Sequence, residues 1–356
     1  MYIHNFSAGP CILPKSVMAK AAESVVNYNN TGLSIIEMSH RSKDFVAVMD
    51  KAVSLVKELM NVPDNYDVIF LQGGASSQFY MTALNLLPLD GKGAYINTGT
   101  WADKAIKEAK LVGDIDVIAS SKDKNFNYIP KGFDIPKDAD YLHYTTNNTI
   151  FGTQFKEIPE TNIPVIADMS SDILSKAVDV SKFDLIYAGV QKNIGPSGAT
   201  LVIIKKGILG KSGRTLSSMM DYQVHIDKES MFNTPPCFSI YVSMLTMEWL
   251  KELGGVEAIE KINIEKAQLL YSEIDRNPLF EGAANEEDRS TMNPTFKMVN
   301  DSLTEVFLKK ATEAGISGIK GHRSVGGFRA SMYNALPLKS VEALVTVMKD
   351  FEKTNA

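Results

Sequence analysis

A chain of 356 residues, 44% apolar and 22% charged, has material for two domains and a sizeable buried core. Its net charge of −5 counts against an extended nucleic-acid surface, and no apolar run reaches the length of a membrane span. Two cysteines, Cys11 and Cys237, stand far apart in no metal-ligand spacing, so neither a metal site nor a disulfide framework is expected. With no basic n-region or apolar h-region in MYIHNFSAGP, a cytoplasmic setting is expected.

After an irregular start, helical spacing predicts helices over 15–29 and 44–60. Short apolar strands then alternate with helices: a strand at 68–71, a helix at 77–87, a strand at 94–97 and a helix at 101–110. Further strands are expected at 115–119, 141–144, 165–167, 185–188 and 200–204. This alternation implies an α/β protein with a mostly parallel sheet covered by helices. Helical patterns return at 238–252 and 256–275, broken by Gly254–Gly255. Beyond Pro294 come a strand at 295–299, a helix at 303–314, strands near 316–319 and 327–331, and a closing helix from Leu338. That stretch reads as a smaller α+β unit. The expected division is a large domain over 16–255 and a small one built from 1–15 and 256–356.

Arginine is scarce, with six against thirty-one lysines, yet Arg41, Arg323 and Arg329 fall within the short segments SHRSKD and GHRSVGGFRAS. In a chain that uses lysine for general surface charge, arginine suggests a need for planar, bidentate recognition of an anion; structural ion pairing explains the same spacing equally well.

The segment DLIYAGVQKNIGPSG runs an apolar strand into Lys192 and a glycine-rich turn. A lysine at a buried strand end sits where the ligand crevice of an open α/β sheet lies, and burial lowers its pKa toward a free, nucleophilic amine. A lysine snorkelling out of a turn gives the same string. In IPVIADMSSD, Asp168 ends another apolar strand and is placed either to pair with a protonated ring nitrogen or to cap a turn. The two strand-end residues together, two dozen positions apart, are far more specific than either alone.

Gly73-Gly74-Ala75-Ser76-Ser77 lies between a strand and an amphipathic helix. This is the composition of a phosphate site at a helix N-terminus, or of a plain turn with serine as the cap. Neither a G-x-G-x-x-G pattern nor a Walker lysine accompanies it. Thr100 and Asp103 suggest a capping box around Trp101, a residue able to stack on an aromatic ring or to pack in the core. Thr149 belongs to an Asn-rich turn and could bond a phenolate oxygen, and FNTPP at 232–236 reads as a helix start with prolines in its first turn.

Taken together, YAGVQKNIGPSG, IADMSSD, HRSKDF, SMFNTPP and KGHRSVGGFRAS resemble the phosphoserine aminotransferase family, class V of the fold type I pyridoxal-phosphate enzymes, and the likeness runs from NFSAGP to YNALPL. The resemblance implies a seven-stranded-type, mostly parallel sheet and pyridoxal 5′-phosphate bound covalently by Lys192, with Asp168 at its ring nitrogen. It also implies Trp101 stacked on the ring and Thr149 on its oxygen. Ala75, Ser76 and Gln191 would hold the phosphate, together with Asn233 and Thr234 from a second subunit of a homodimer. Arg41 and Arg329 would take the substrate carboxylate. His40 and, across the dimer, His322 and Arg323 would serve the distal phosphate or carboxylate. The substrates implied are glutamate, phosphoserine and their 2-oxo acids, with phosphohydroxythreonine also within the family's range. Some relatives carry arginine where this chain has Ser76, which leaves phosphate anchoring here to backbone amides, a hydroxyl and the helix dipole.

Three rivals are weighed against this reading. A cysteine desulfurase needs a nucleophilic cysteine on a mobile loop, for which Cys11 and Cys237 are poorly placed. An alanine–glyoxylate type enzyme has no use for the cations of GHRSVGG. A non-catalytic cofactor-binding protein needs neither Lys192 with Asp168 nor three placed arginines.

Overall fold

A computed structural model describes residues 2–355. Its centre is a seven-stranded sheet of β1 (Tyr66–Leu71), β2 (Lys92–Asn97), β3 (Asp114–Ser120), β4 (Tyr141–Thr145), β5 (Val165–Asp168), β6 (Leu185–Gly189) and β7 (Thr200–Lys205). Their order is β1-β7-β6-β5-β4-β2-β3. Every neighbouring pair is parallel except the two made by β7, which runs antiparallel to β1 and β6. Residues of β5 and β6 are buried throughout, as unbroken apolar runs in a doubly covered sheet require.

Helices cover both faces; in chain order the first five are α1 (Lys15–Val26), α2 (Lys43–Leu59), α3 (Gly74–Leu86), α4 (Thr100–Ala109) and α5 (Tyr222–Asp227). On α2 (Lys43–Leu59), Ser42 caps the N-terminus by accepting from the Phe45 amide at 3.3 Å. Phe45, Val48, Met49, Ala52, Leu55, Val56 and Leu59 then form one buried stripe at helical spacing. That stripe joins a core shared with α6 (Cys237–Glu252) and one face of the sheet; Phe79, Leu87 and Ile106 fill the other face with Tyr95 and Val202. Past α7 (Gly255–Arg276), a three-stranded antiparallel sheet of Phe280–Gly282, Thr295–Met298 and Phe328–Arg329 carries its own core. Phe280, Phe296, Phe307 and Phe328 pack mutually there, joined by Phe6 and Met348.

Several expectations need correction. The helix expected over 15–29 ends at Val26, and Tyr28–Asn30 forms a separate 3-10 turn in which Asn29 and Asn30 adopt positive φ. The capping box at Thr100 is not formed. Gly99 is the cap residue, and Asp103 instead accepts from Asn97 Nδ2 at 3.2 Å. The prolines of FNTPP precede α6, with Pro236 as its cap residue and no side-chain cap bond. The helix after β1 begins at Gly74 rather than Ser77, so serine does not cap it.

Candidate active site

The parallel strands end on one side of the sheet, and their last residues Thr145, Asp168 and Gly189 line a cavity of about 420 Å³. Its roof is the start of α3 (Gly74–Leu86). Gly73 turns the chain into this helix at φ +89°, where a Cβ would collide with the Ser77 side chain, so glycine is required for the turn. With Gly73 as cap residue, the amides of Gly74, Ala75 and Ser76 have no helical acceptor, and all three residues line the cavity. An anion there would meet free N–H groups and the positive end of the helix dipole.

Lys192 sits half-buried at the cavity floor, in a turn that follows β6. The turn is fixed by three backbone bonds: Val190 N to Ala199 O, Lys192 N to Val190 O and Gly195 N to Val190 O. Gly195 lies against α6 so closely that a Cβ would strike Ser243. Lys192 Nζ donates to Thr149 Oγ1 at 2.9 Å. Burial, reinforced by the Arg329 guanidinium and opposed by Asp168, pushes the amine down to about 8. Thr149 is in the tight turn between the two-residue strands Asn147–Asn148 and Thr153–Gln154. Its carbonyl accepts from Arg329 Nη1 at 3.3 Å, so the two cations share one anchor residue.

Asp168 is 3% exposed. Its Oδ1 accepts from the Ser170 amide at 2.9 Å and the Ser170 hydroxyl at 2.6 Å, while the same hydroxyl receives Gly189 N–H at 3.1 Å. Burial raises the carboxyl's pKa; the Ser170 bonds and Lys192 oppose that rise. Gln191 and Trp101 border the cavity, with Lys104 Nζ 4.5 Å from the Trp101 ring centroid.

The remaining candidates lie outside this cavity. Asn233 is half-buried and Thr234 exposed, the latter's carbonyl held by Gln72 Nε2 at 2.8 Å. His40 is half-buried with Nε2 unpaired, and Arg41 is exposed. His322 and exposed Arg323 occupy the glycine-flanked loop 321–327, whose Val325 packs against the aromatic cluster of Phe126, Ile150 and Phe151 that also touches Trp101. Burial lowers the pKa of His322, helped by Arg329, Arg323 and Lys104. Sequence reasoning missed Thr145, Asn147, Ser170, Ser171 and Ser197 on the cavity wall. Ser170 and Ser171 lie within IADMSSD beside Asp168, and Asn147 stands two residues before Thr149.

The wall suits pyridoxal phosphate on grounds internal to this structure. Trp101 Nε1 and Thr145 Oγ1 are buried without partners, and no donor is paired with Asp168 Oδ2 among the described residues. A Cβ on Gly189 would point into the space between Ala75 N and Ser170 Oγ. An aromatic ring carrying a basic nitrogen and a phosphate would meet a carboxylate at one end and a helix N-terminus at the other. No group of three or more His, Cys, Asp or Glu able to hold a metal occurs among the described residues, and no helix there is long and apolar enough to cross a membrane.

Known proteins share this fold. The phosphoserine aminotransferase of Flavobacterium psychrophilum is 62% identical over 350 residues, covering 98% of each chain. A solved phosphoserine aminotransferase studied for radiation damage to its Schiff base superposes with a TM-score of 0.97 at 47% identity, covering 100% of both chains. A pyridoxal-phosphate-bound phosphoserine aminotransferase from Trichomonas vaginalis gives 0.93 at 35% identity, over 98% of this chain and 100% of that one. The family model described as "Aminotransferase class-V" matches residues 3–344, and the chain belongs to that family.

Proposed function

We propose that this chain is a pyridoxal-phosphate-dependent phosphoserine aminotransferase, exchanging the amino group between phosphoserine and 2-oxoglutarate in serine biosynthesis. The observation that carries the reading is the meeting of Lys192, Asp168 and the open amides of α3 in one cavity. When bound, the cofactor supplies an electron sink for the substrate's Cα. Lys192 would hold it covalently, Asp168 would face its ring nitrogen, Trp101 would stack on the ring and Thr149 would bond its oxygen. Ala75, Ser76 and Gln191 would receive its phosphate.

The chain's own groups account for the rest of the work. Once the substrate amine has taken its place, Lys192 is a free base, and its lowered pKa lets it accept the Cα proton near neutral pH. Thr149 orients the Lys192 amine through its hydroxyl and Arg329 through its carbonyl. Arg329, half-buried with Nε unpaired, would bind the α-carboxylate common to both donors. Asn233, Thr234, His322 and Arg323 lie away from the cavity floor of their own chain, which fits a homodimer in which they complete the neighbouring site.

The test is donor selectivity. Arg329→Ala should lower kcat/KM for glutamate and phosphoserine alike, by about 30-fold or more, as truncating a half-buried charge partner does. Arg323→Ala should penalise phosphoserine at least about tenfold more than alanine, which has no distal anion. Equal losses for every donor on Arg323→Ala, or no turnover of phosphoserine by the wild-type protein, would overturn the assignment.

A further inference from the structure

Lys266 is the most deeply buried lysine among the described residues, with 0% exposure, and the chemistry above does not use it. It projects from α7 and has no carboxylate partner. Its Nζ donates to three backbone carbonyls of one irregular segment: Met332 at 3.1 Å, Tyr333 at 3.0 Å and Leu336 at 3.1 Å. Three carbonyls match the three N–H donors of an ammonium group; a neutral amine would turn a lone pair toward one of them. Burial pushes this amine down to about 7, while hydrogen bonds to the charged form favour retaining the proton. An ion buried at such cost, holding only backbone, is an expensive way to add stability, and a buried charge is better explained by the geometry it specifies.

That geometry leads to the active site by two routes. Asn334, inside the pinned segment, donates its amide to Asn193 Oδ1 at 3.0 Å and its Nδ2 to Leu174 O at 2.8 Å. Asn193 follows Lys192 directly and is tied to Ile173 O at 3.0 Å. One turn before Lys266 on α7, Asn263 donates to Asn334 Oδ1 at 2.9 Å and to Ser175 O at 3.0 Å. Along the second route, the Tyr333 hydroxyl donates to Ala8 O at 2.9 Å, in the N-terminal stretch that lies over Gln191 and Lys192. Cys11, in the same stretch, bonds the Gln191 and Lys192 carbonyls. Arg329 lies three residues before Met332 on the same strand of chain.

We propose that Lys266, with Asn263, is a positioning residue: it pins segment 332–336, so that Asn334 and Tyr333 set the Lys192 turn in register with Arg329. The inference rests on the assignment of Lys192 as the cofactor lysine. The decisive variants are Lys266→Met, which keeps length and removes the donors, and Asn334→Ala, each prepared as holoenzyme. Expected for both are a shift of about half a pH unit or more in the visible-absorbance titration of the bound cofactor and a roughly tenfold fall in kcat/KM. The double variant should lose little more than either single, because both cut the same chain of contacts. Lys266→Arg should not rescue, since a planar guanidinium cannot cap three converging carbonyls. If Lys266→Met does not fold, Asn263→Ser carries the same readouts, with the bonds to Asn334 and Ser175 removed and Lys266 left in place. An altered melting temperature with unchanged titration and kinetics would reduce Lys266 to a structural role and overturn the proposal. Borohydride trapping in the wild-type protein separates the two ideas, because a label away from Lys192 would sink the functional assignment itself.

Discussion

The Lys192 amine can be titrated without any substrate. Its environment holds it at about 8, chiefly by burial, with Asp168 raising and Arg329 lowering the value. At pH 7.5 that leaves about a quarter of the amine neutral, against about 0.1% for a lysine at 10.5, a ratio of about 240 in available nucleophile. Brief acetylation of the apo-protein between pH ~6 and ~11, followed by peptide mapping, reads each lysine's midpoint separately. Lys192 should titrate near 8, well below the ordinary value for a lysine. Arg329→Gln should raise the Lys192 midpoint and Asp168→Asn should lower it, two shifts of opposite sign that a nonspecific loosening of the cavity cannot produce. Because the folded state holds this proton less tightly than the unfolded chain, the unfolded chain carries more protons between about 8 and 10.5. Apo-protein stability should therefore rise with pH across that window, and Lys192→Met should flatten the rise. A Lys192 midpoint among those of the surface lysines, or variants that move it in the same direction, would refute the electrostatic account.

Two further outcomes follow from the same wall. Asp168→Asn should lower turnover by about 100-fold or more, yet leave the apo-protein at least as heat-stable at pH 7, because burial raises this carboxyl and the folded protein carries its charge reluctantly. Near-normal turnover would return Asp168 to the role of a turn cap. Gly73→Ala places a Cβ against Ser77 at a positive φ and should deform the anion site at α3. Equilibrium dialysis should show cofactor affinity weakened by about tenfold or more, a cost of the size associated with a strained backbone position; unchanged affinity would mean that the phosphate is held elsewhere.

The parts of this site that were legible in the sequence share one feature, a polar residue that ends an unbroken apolar run. Lys192 after Leu185–Gly189 and Asp168 after Val165–Ala167 are visible because a buried strand admits no charge until its end. Thr149 stood out from the residues only as one member of an Asn-rich turn, since strands of two residues are too short to show any period. The capping box at Thr100 misled because local pattern ignores competitors: Asp103 finds Asn97 instead of the helix end. Ser76 looked like a cap candidate, but the left-handed Gly73 begins the helix earlier and moves the serine into the first turn. Lys266 was illegible for a different reason. Within EKINIEKAQLL it reads as one more charge on a solvated helix face, and only segment 332–336, about 70 positions later, closes over it.

The differing burial of the arginines suggests why the proposed substrates can share one pocket. A site that accepts two donors in turn must hold constant the end they have in common and adapt at the end that differs. Arg329 is half-buried on a strand, braced by the Thr149 carbonyl, and has an Nε still in want of an acceptor. Such a guanidinium is preorganised, so a planar carboxylate meets it with little loss of side-chain freedom. Arg323 has the opposite character: it is exposed, on a loop bounded by Gly321, Gly326 and Gly327, and its side chain makes no hydrogen bond among the described residues. In the proposed role it would reposition between a tetrahedral phosphate and a flat carboxylate, at the cost of ordering a flexible side chain each time. Rigidity at the invariant α-carboxylate and compliance at the distal anion would thus divide specificity between the sheet and the loop.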